Sequence, residues 1–169
     1  MERKLLLLGL LRRQEMHGYQ LYEFIERDLA ICTDLKKPTA YYLLDKMAQD
    51  GWIGEEQVQE GNRPPRKVYH LTDTGEIVFQ ELLRANLSSY QPVRFSGDSG
   101  LAFLDELPAA DASACLYQRR QAISDELLAA QSIPEHGGSA QLALRHQVHH
   151  LESELVWIDE VLARLEGKS

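Results

Sequence analysis

"KKPTAYYLLDKMAQDGWI", residues 36–53, carries the two signals on which the fold turns. Up to Gly51 the apolar residues recur at helical spacing, with Ala40, Leu44 and Met47 on one face and Leu43 nearby. Pro38 and Thr39 suit a first turn, because the N–H that proline lacks has no partner there. Gly51 suits the position just past a helix end. Thr39, Tyr42, Lys46 and Gln49 form a polar line on the other side at steps of three, four and three. From Trp52 onward the period changes to two. "WIGEEQVQEG" and "RKVYHLT" read as two short strands around "NRPPR", a hairpin with a basic, proline-stiffened tip.

Working outward, residues 3–13 and "GYQLYEFIERDL" (18–29) both read as helices, and Met16-His17-Gly18 reads as the turn between them. After the hairpin, "DTGE" (73–76) has the capping-box pattern, with Asp73 expected at the N-cap and Glu76 three residues on. The helix it starts is expected to reach about residue 89 and to use Ile77, Leu82 and Leu83 as apolar positions. "YQPVRFSGDSG" is the expected linker. "LAFLDEL" reads as a short helix, and a longer one follows, capped near Asp111 or Ser113. "PEHGG" breaks it, and Ser139 opens the last helix.

Leu144, Val148, Leu151, Leu155, Ile158, Leu162 and Leu165 in that last helix are spaced alternately four and three. This is the 3.5-residue repeat of a helix packed along its length against another helix. A seam between two copies of the chain is the expectation. An ordinary amphipathic face on the chain's own core is the alternative.

The expected fold class is therefore mainly α with a small β wing, in three parts. Residues 1–90 form a winged helix-turn-helix, 91–100 a linker, and 101–169 a helical dimerisation domain whose long helix packs in antiparallel fashion. In such domains the helix before the wing enters the major groove of DNA. Lys36 and Lys37 lie at that helix's positive end, which favours phosphate twice over. Thr39, Tyr42, Lys46 and Gln49 would face the duplex, and Arg63, Arg66 and Lys67 on the wing would follow the backbone or minor groove.

The whole chain is acidic, with a formal net charge of −8 over 169 residues. The acidity is uneven: residues 1–90 carry 12 basic against 14 acidic side chains, and 91–169 carry 6 against 12. Phosphate contacts are local, so the net charge does not exclude a DNA partner. No apolar run approaches the ~20 residues of a membrane span. "MERKLLLLGLL" has the outline of a signal peptide, but Arg12 and Arg13 interrupt it and no small-residue cleavage site follows, so it is read as a core helix. Cys32 and Cys115 lack metal spacing and are expected as buried, reduced thiols of a cytoplasmic protein. His146, His150 and Glu154 fall on one side of the last helix, but without a further ligand they read as a solvated face, so no metal and no cofactor is expected. Neither His17 nor His70 has a Ser, Cys or Asp partner in sequence, and no glycine-rich phosphate loop occurs, so an enzyme is not expected.

Three ordered motifs carry a resemblance. "LLLLGLL…HGYQLYEFIE", "PTAYYLLDKMAQDGWI" and "RKVYHLTDTGE" resemble the PadR family of bacterial transcriptional regulators. The second is similar to that family's "GTLYPLLKRLEEEGLI" pattern, with Thr39, Tyr41, Leu43, Leu44 and Gly51 at matching places. The third is similar to its "RKYYRLTDEG" motif. Pro38 and Tyr42 depart from the glycine and proline usual there, and both lie at the DNA-facing end. The resemblance implies a homodimer on a palindromic operator and a backbone-phosphate contact from Tyr41. It further implies repression released by a small, often aromatic, effector near the dimer interface. Trp157, off the leucine seam, is the residue placed to line such a pocket, with plain packing as the alternative. A second expectation, from another class, is a winged-helix module that binds a protein partner through its acidic half. A steep salt dependence of binding separates the two.

Overall fold

The computed structural model describes residues 1–28, 35–59, 66–90, 92–93, 95, 97–135 and 137–167, with only the backbone of 26–28. The chain divides into two compact units, Met1–Gln91 and Pro92–Ser169.

The first unit is three helices, a small sheet and a fourth helix. Helix α1 (Glu2–Arg13) buries Leu7, Leu8, Leu10 and Leu11. Strand β1 (Met16–His17) runs directly into α2 (Gly18–Asp28), which buries Leu21 and Ile25. Helix α3 (Lys37–Gln49) has proline in its first turn and buries Ala40, Leu44 and Met47. It ends where Gly51 takes a positive φ of 74°, a conformation that costs a residue without Cβ little. There the Trp52 N–H donates to the Met47 carbonyl at 2.9 Å, satisfying one of the helix's last acceptors.

Strands β2 (Ile53–Val58) and β3 (Arg66–Leu71) pair antiparallel, with Ile53 opposite Leu71 and Val58 opposite Arg66. The sheet has a third strand: β1 pairs with the other edge of β3, Met16 opposite Tyr69 and His17 opposite Val68, giving the order β1-β3-β2. The segment read from sequence as a plain turn is thus also a strand. Two residues are too few to show a period of two.

Helix α4 (Asp73–Ser88) begins one residue away from the expected position. Thr72, not Asp73, is the N-cap, and its Oγ1 accepts from the Gly75 N–H at 3.0 Å. The same hydroxyl lies 2.7 Å from the Gly51 carbonyl and 2.9 Å from that of Trp52. One threonine therefore ties the end of α3 to the start of α4. Glu76, instead of closing a capping box, accepts from Arg12 Nε at 2.7 and 3.0 Å and joins α4 to α1. The inward face of α4 is Val78, Phe79 and Leu82, whereas Ile77, expected inside, is 61% exposed.

The second unit holds a helical turn α5 (Asp98–Leu101) inside the expected linker, and a 3₁₀ turn (Leu104–Glu106). It then forms two long helices, α6 (Ala109–Gln131) and α7 (Ser139–Leu165). Helix α6 starts after Pro108, earlier than either expected cap. Its contacts with α7 run in opposite sequence directions: Tyr117 Oη donates to Glu166 at 2.7 Å, Arg120 Nε to Asp159 at 2.6 Å, and Arg119 pairs with Glu154. The two helices are therefore antiparallel.

Part of the leucine seam is spent inside this hairpin. Ile158 and Leu162 are buried with Leu116, and Val161, Leu165, Leu101, Leu104 and Ile123 pack around them. Leu151 is buried as well, while Leu144, Val148 and Leu155 are half-buried. The ordinary amphipathic reading thus accounts for the C-terminal stretch of the seam. Cys115, expected buried, is exposed, and Cys32 lies outside the described residues. Of the histidine stripe, His150 stacks on Phe95 and Glu154 is taken by Arg119. Among the described residues no group of three or more His, Cys, Asp or Glu is arranged to hold a metal. No helix among them is long and apolar enough to cross a membrane.

Candidate nucleic-acid interface

Burial of Ala40, Leu44 and Met47 fixes the phase of α3 and so decides what its other side presents. Tyr42 is 67% exposed, and Asp45, Lys46 and Gln49 are exposed with it. Thr39, the first member of the line drawn from sequence, is half-buried at its flank. Asp45 was not on that line, yet it stands one turn from Tyr42 and one from Gln49. Helical phase alone would have found it.

Lys36 precedes the helix with an extended backbone, and Lys37 is its first residue, so both sit at the end where unpaired N–H groups gather. Lys37 Nζ lies 5.3 Å from the centre of the Tyr19 ring and 5.6 Å from that of Tyr22, at the start of α2. These rings hold the ammonium between the two helix entrances. Lys46 Nζ is 3.1 Å from Asp50 one turn on, an exposed pair that screening leaves weak.

Tyr41 points back from α3 toward α2. A Cβ on Gly18 would come within 2.9 Å of Tyr41 Cε1 and 3.2 Å of Tyr69 Cε2, so glycine is what lets the two rings close on the first turn of α2. Around this point lies an open cavity of about 640 Å³ lined by His17, Gly18, Tyr41, Asp45, Arg66 and Lys67, among others. The cavity faces the N-terminus of α2. There the Gln20 side chain accepts from the His17 N–H at 3.2 Å, and His17 Nδ1 is buried without a hydrogen-bond partner among the described residues. The cavity lining mixes charges, with Arg66 and Lys67 set against the carboxylate of Asp45. The sequence reading missed the α2 side of it, because β1 brings His17 beside β3.

On the wing, Arg66 is exposed, and Arg63 lies outside the described residues. Lys67 is not the unopposed cation its local sequence suggests. Its Nζ lies 2.9 Å from Glu55 Oε2 and 3.8 Å from Asp45 Oδ1. The register explains this: Lys67 is opposite Gln57, which makes Glu55 its diagonal neighbour on the same face of the hairpin. The hydrogen bond to Glu55 raises the Lys67 pKa above its ordinary value, and burial does the same for the Tyr69 phenol. Nothing here resembles a reaction centre. The surface offers paired charges, exposed polar side chains on a helix and a cavity bordered by both basic and acidic side chains.

A three-helix unit with a β wing, exposing such a helix, is a winged helix-turn-helix unit. Residues 7–81 match the transcriptional regulator PadR-like family, a family of transcriptional regulators and not of enzymes. Over 176 residues the chain is 26% identical to the negative transcriptional regulator PadR of Bacillus subtilis (strain 168), spanning 96% of this chain and 97% of the relative. The fold is similar to that of B. subtilis PadR in complex with operator DNA, with a TM-score of 0.82 at 22% identity over 96% of this chain and 98% of that one. It is also similar to B. subtilis PadR in complex with p-coumaric acid, with a TM-score of 0.78 at 21% identity over 96% and 94%.

Proposed function

We propose that this chain is a homodimeric DNA-binding regulator that acts as a repressor on a palindromic operator and is released by a small aromatic effector. The observation that carries the reading is α3. Its apolar face is committed to the core, its exposed face holds Tyr42, Asp45, Lys46 and Gln49, and its entrance holds Lys36 and Lys37. A helix so presented fits the major groove, where side chains can reach base edges. Tyr41, Arg66 and Lys67 border the cavity beside α3, and a backbone phosphate met by exposed Arg66 at its rim, away from Asp45, would fix the depth of the helix. Tyr42 and Thr39 complete the contact set with Gln49 and Arg63.

Two copies would place their α3 helices about one DNA turn, ~34 Å, apart. Support for pairing comes from the second unit, where Leu144, Val148 and Leu155 are only half-buried by the chain itself. The B. subtilis relative is a negative regulator, which supports repression, and the p-coumaric acid complex of its kind supports an aromatic effector. Trp157, 38% exposed on α7, is the side chain we assign to that pocket. A cytoplasmic location goes with this reading, because that is where a bacterial operator is met.

The test is a gel-shift of the full chain on the DNA upstream of its own coding region across a range of salt. A discrete complex is expected, with log affinity falling linearly in log salt. The Arg66→Ala variant should reduce that slope by about one unit and weaken all sequences alike. A complex insensitive to salt, or an Arg66→Ala variant indistinguishable from wild type, would remove the wing from the DNA. No complex from a folded dimer would move the balance toward a protein partner.

A further inference from the structure

Asp45 is out of place on a surface that meets a polyanion. It stands in the middle of the exposed line of α3, between Tyr42 and Gln49, and its side chain is 55% exposed. A carboxylate there cannot serve a phosphate: it repels one. Nor is it needed to hold Lys67, whose closer partner is Glu55 at 2.9 Å against 3.8 Å for Asp45. What a carboxylate can do in a major groove is accept a hydrogen bond from an exocyclic amino group. Two bases offer one there, cytosine at N4 and adenine at N6. Adenine sets its N7 acceptor beside N6, which suits an amide and repels a carboxylate oxygen. Cytosine offers N4 with only a C–H beside it on its own ring.

Resting on the proposed DNA-binding function, we infer that Asp45 is a base-reading residue that selects a cytosine in each operator half-site. Lys67 is the part of the device that makes this tolerable. Its ammonium, held on the hairpin by Glu55, lies near the carboxylate and offsets its repulsion from the flanking phosphates. The pair then acts against wrong sequences: where no amino group meets Asp45, a desolvated carboxylate is left without a donor, which penalises that site.

The experiment is binding-site selection from a randomised duplex pool with the full-length wild type, Asp45→Ala and Asp45→Asn. Asp45 is exposed, so both variants should fold, and matching thermal melts check this. The wild type should recover half-sites with one strongly preferred C·G pair. Asp45→Ala should lose about tenfold to hundredfold of the discrimination at that pair alone, while binding unselected DNA at least as tightly. Asp45→Asn should shift the preference at the same pair toward adenine, whose N6 and N7 an amide matches. If both variants recover the wild-type consensus with unchanged preference at every position, the inference is wrong and the DNA-binding function stands. If the wild type recovers no sequence, the proposed function itself fails and the inference with it.

Discussion

Residues 1–91 gather Leu7, Leu8, Leu21, Ile25, Leu44, Met47, Ile53 and Tyr69 into one cluster, drawn from three helices and the sheet. Among its described residues the second unit gathers Leu116, Ile158 and Leu162 into a smaller buried cluster. It leaves Leu128, Leu142 and Val156 each at least 60% exposed. Both units are held by charged clamps between helices, Arg12–Glu76 in the first and Arg120–Asp159 in the second. What differs is the core beneath. Apolar burial dominates folding, and exposed ion pairs contribute little. The first unit is therefore equipped to stand alone and present α3 rigidly. The second has the smaller buried cluster, which is what the proposed pairing with another copy would add to.

The largest effect should come from emptying the deeper core. Leu44, 1% exposed on the inner face of α3, is in the middle of the cluster. Leu44→Ala should cost about 2–5 kcal/mol of the first unit's stability and abolish DNA binding with it. Chemical unfolding followed with hydrogen exchange would read this by unit. A loss shared equally by α6 and α7 would mean that the two units do not differ as their cores suggest.

Dilution should act in the opposite place. If a second copy completes α6 and α7, their exchange protection should fall as the protein is diluted, by about 1.4 kcal/mol for each tenfold loss of free partner. Protection of α1, Leu44 and the sheet should stay constant. A chain that sediments as a monomer and keeps α6 and α7 protected at every concentration would end the pairing argument.

The sequence made the two units legible to different degrees, for physical reasons. The first three helices and the hairpin announce themselves through period, Pro38, Gly51 and the change at Trp52. What escaped were contacts across the fold. Strand β1 exists because β3 offers Met16 and His17 a free edge. Thr72 wins the cap over Asp73 because its hydroxyl also reaches the carbonyls of Gly51 and Trp52, partners about 20 residues away. Glu55 reaches Lys67 through strand register, and no local reading of "NRPPRK" could show it. Asp45 is different, since the phase fixed by Ala40, Leu44 and Met47 already places it outward. In α7 the 3.5-residue repeat is correct, but a repeat states that a helix packs and not on which chain. The α6 helix takes Ile158 and Leu162 within the same chain.

The smallest effect sharpens the comparison through pH. The Arg12 hydrogen bond holds the Glu76 carboxyl below its ordinary pKa, and the Arg120 hydrogen bond does the same for Asp159. A carboxylate depressed in the folded state stabilises that state above its ordinary pKa, and the stabilisation is lost as pH falls through the depressed value. Acidification through and below the ordinary carboxylate range should therefore loosen both clamps. Both pairs are exposed, so each loss is small. Its consequence should differ by unit, because α1 and α4 remain joined through Phe79, Leu82 and the four buried leucines of α1, whereas beneath their clamp α6 and α7 share the smaller Leu116–Ile158–Leu162 cluster with half-buried Ile123, Val161 and Leu165 around it. Exchange measured by unit at neutral and acidic pH should show α6 and α7 losing protection first. Asp159→Asn, which removes the titrating group, should flatten that acid dependence, while Glu76→Gln should leave it in place. If the first unit opens before the second on acidification, core depth does not set the order in which these units come apart.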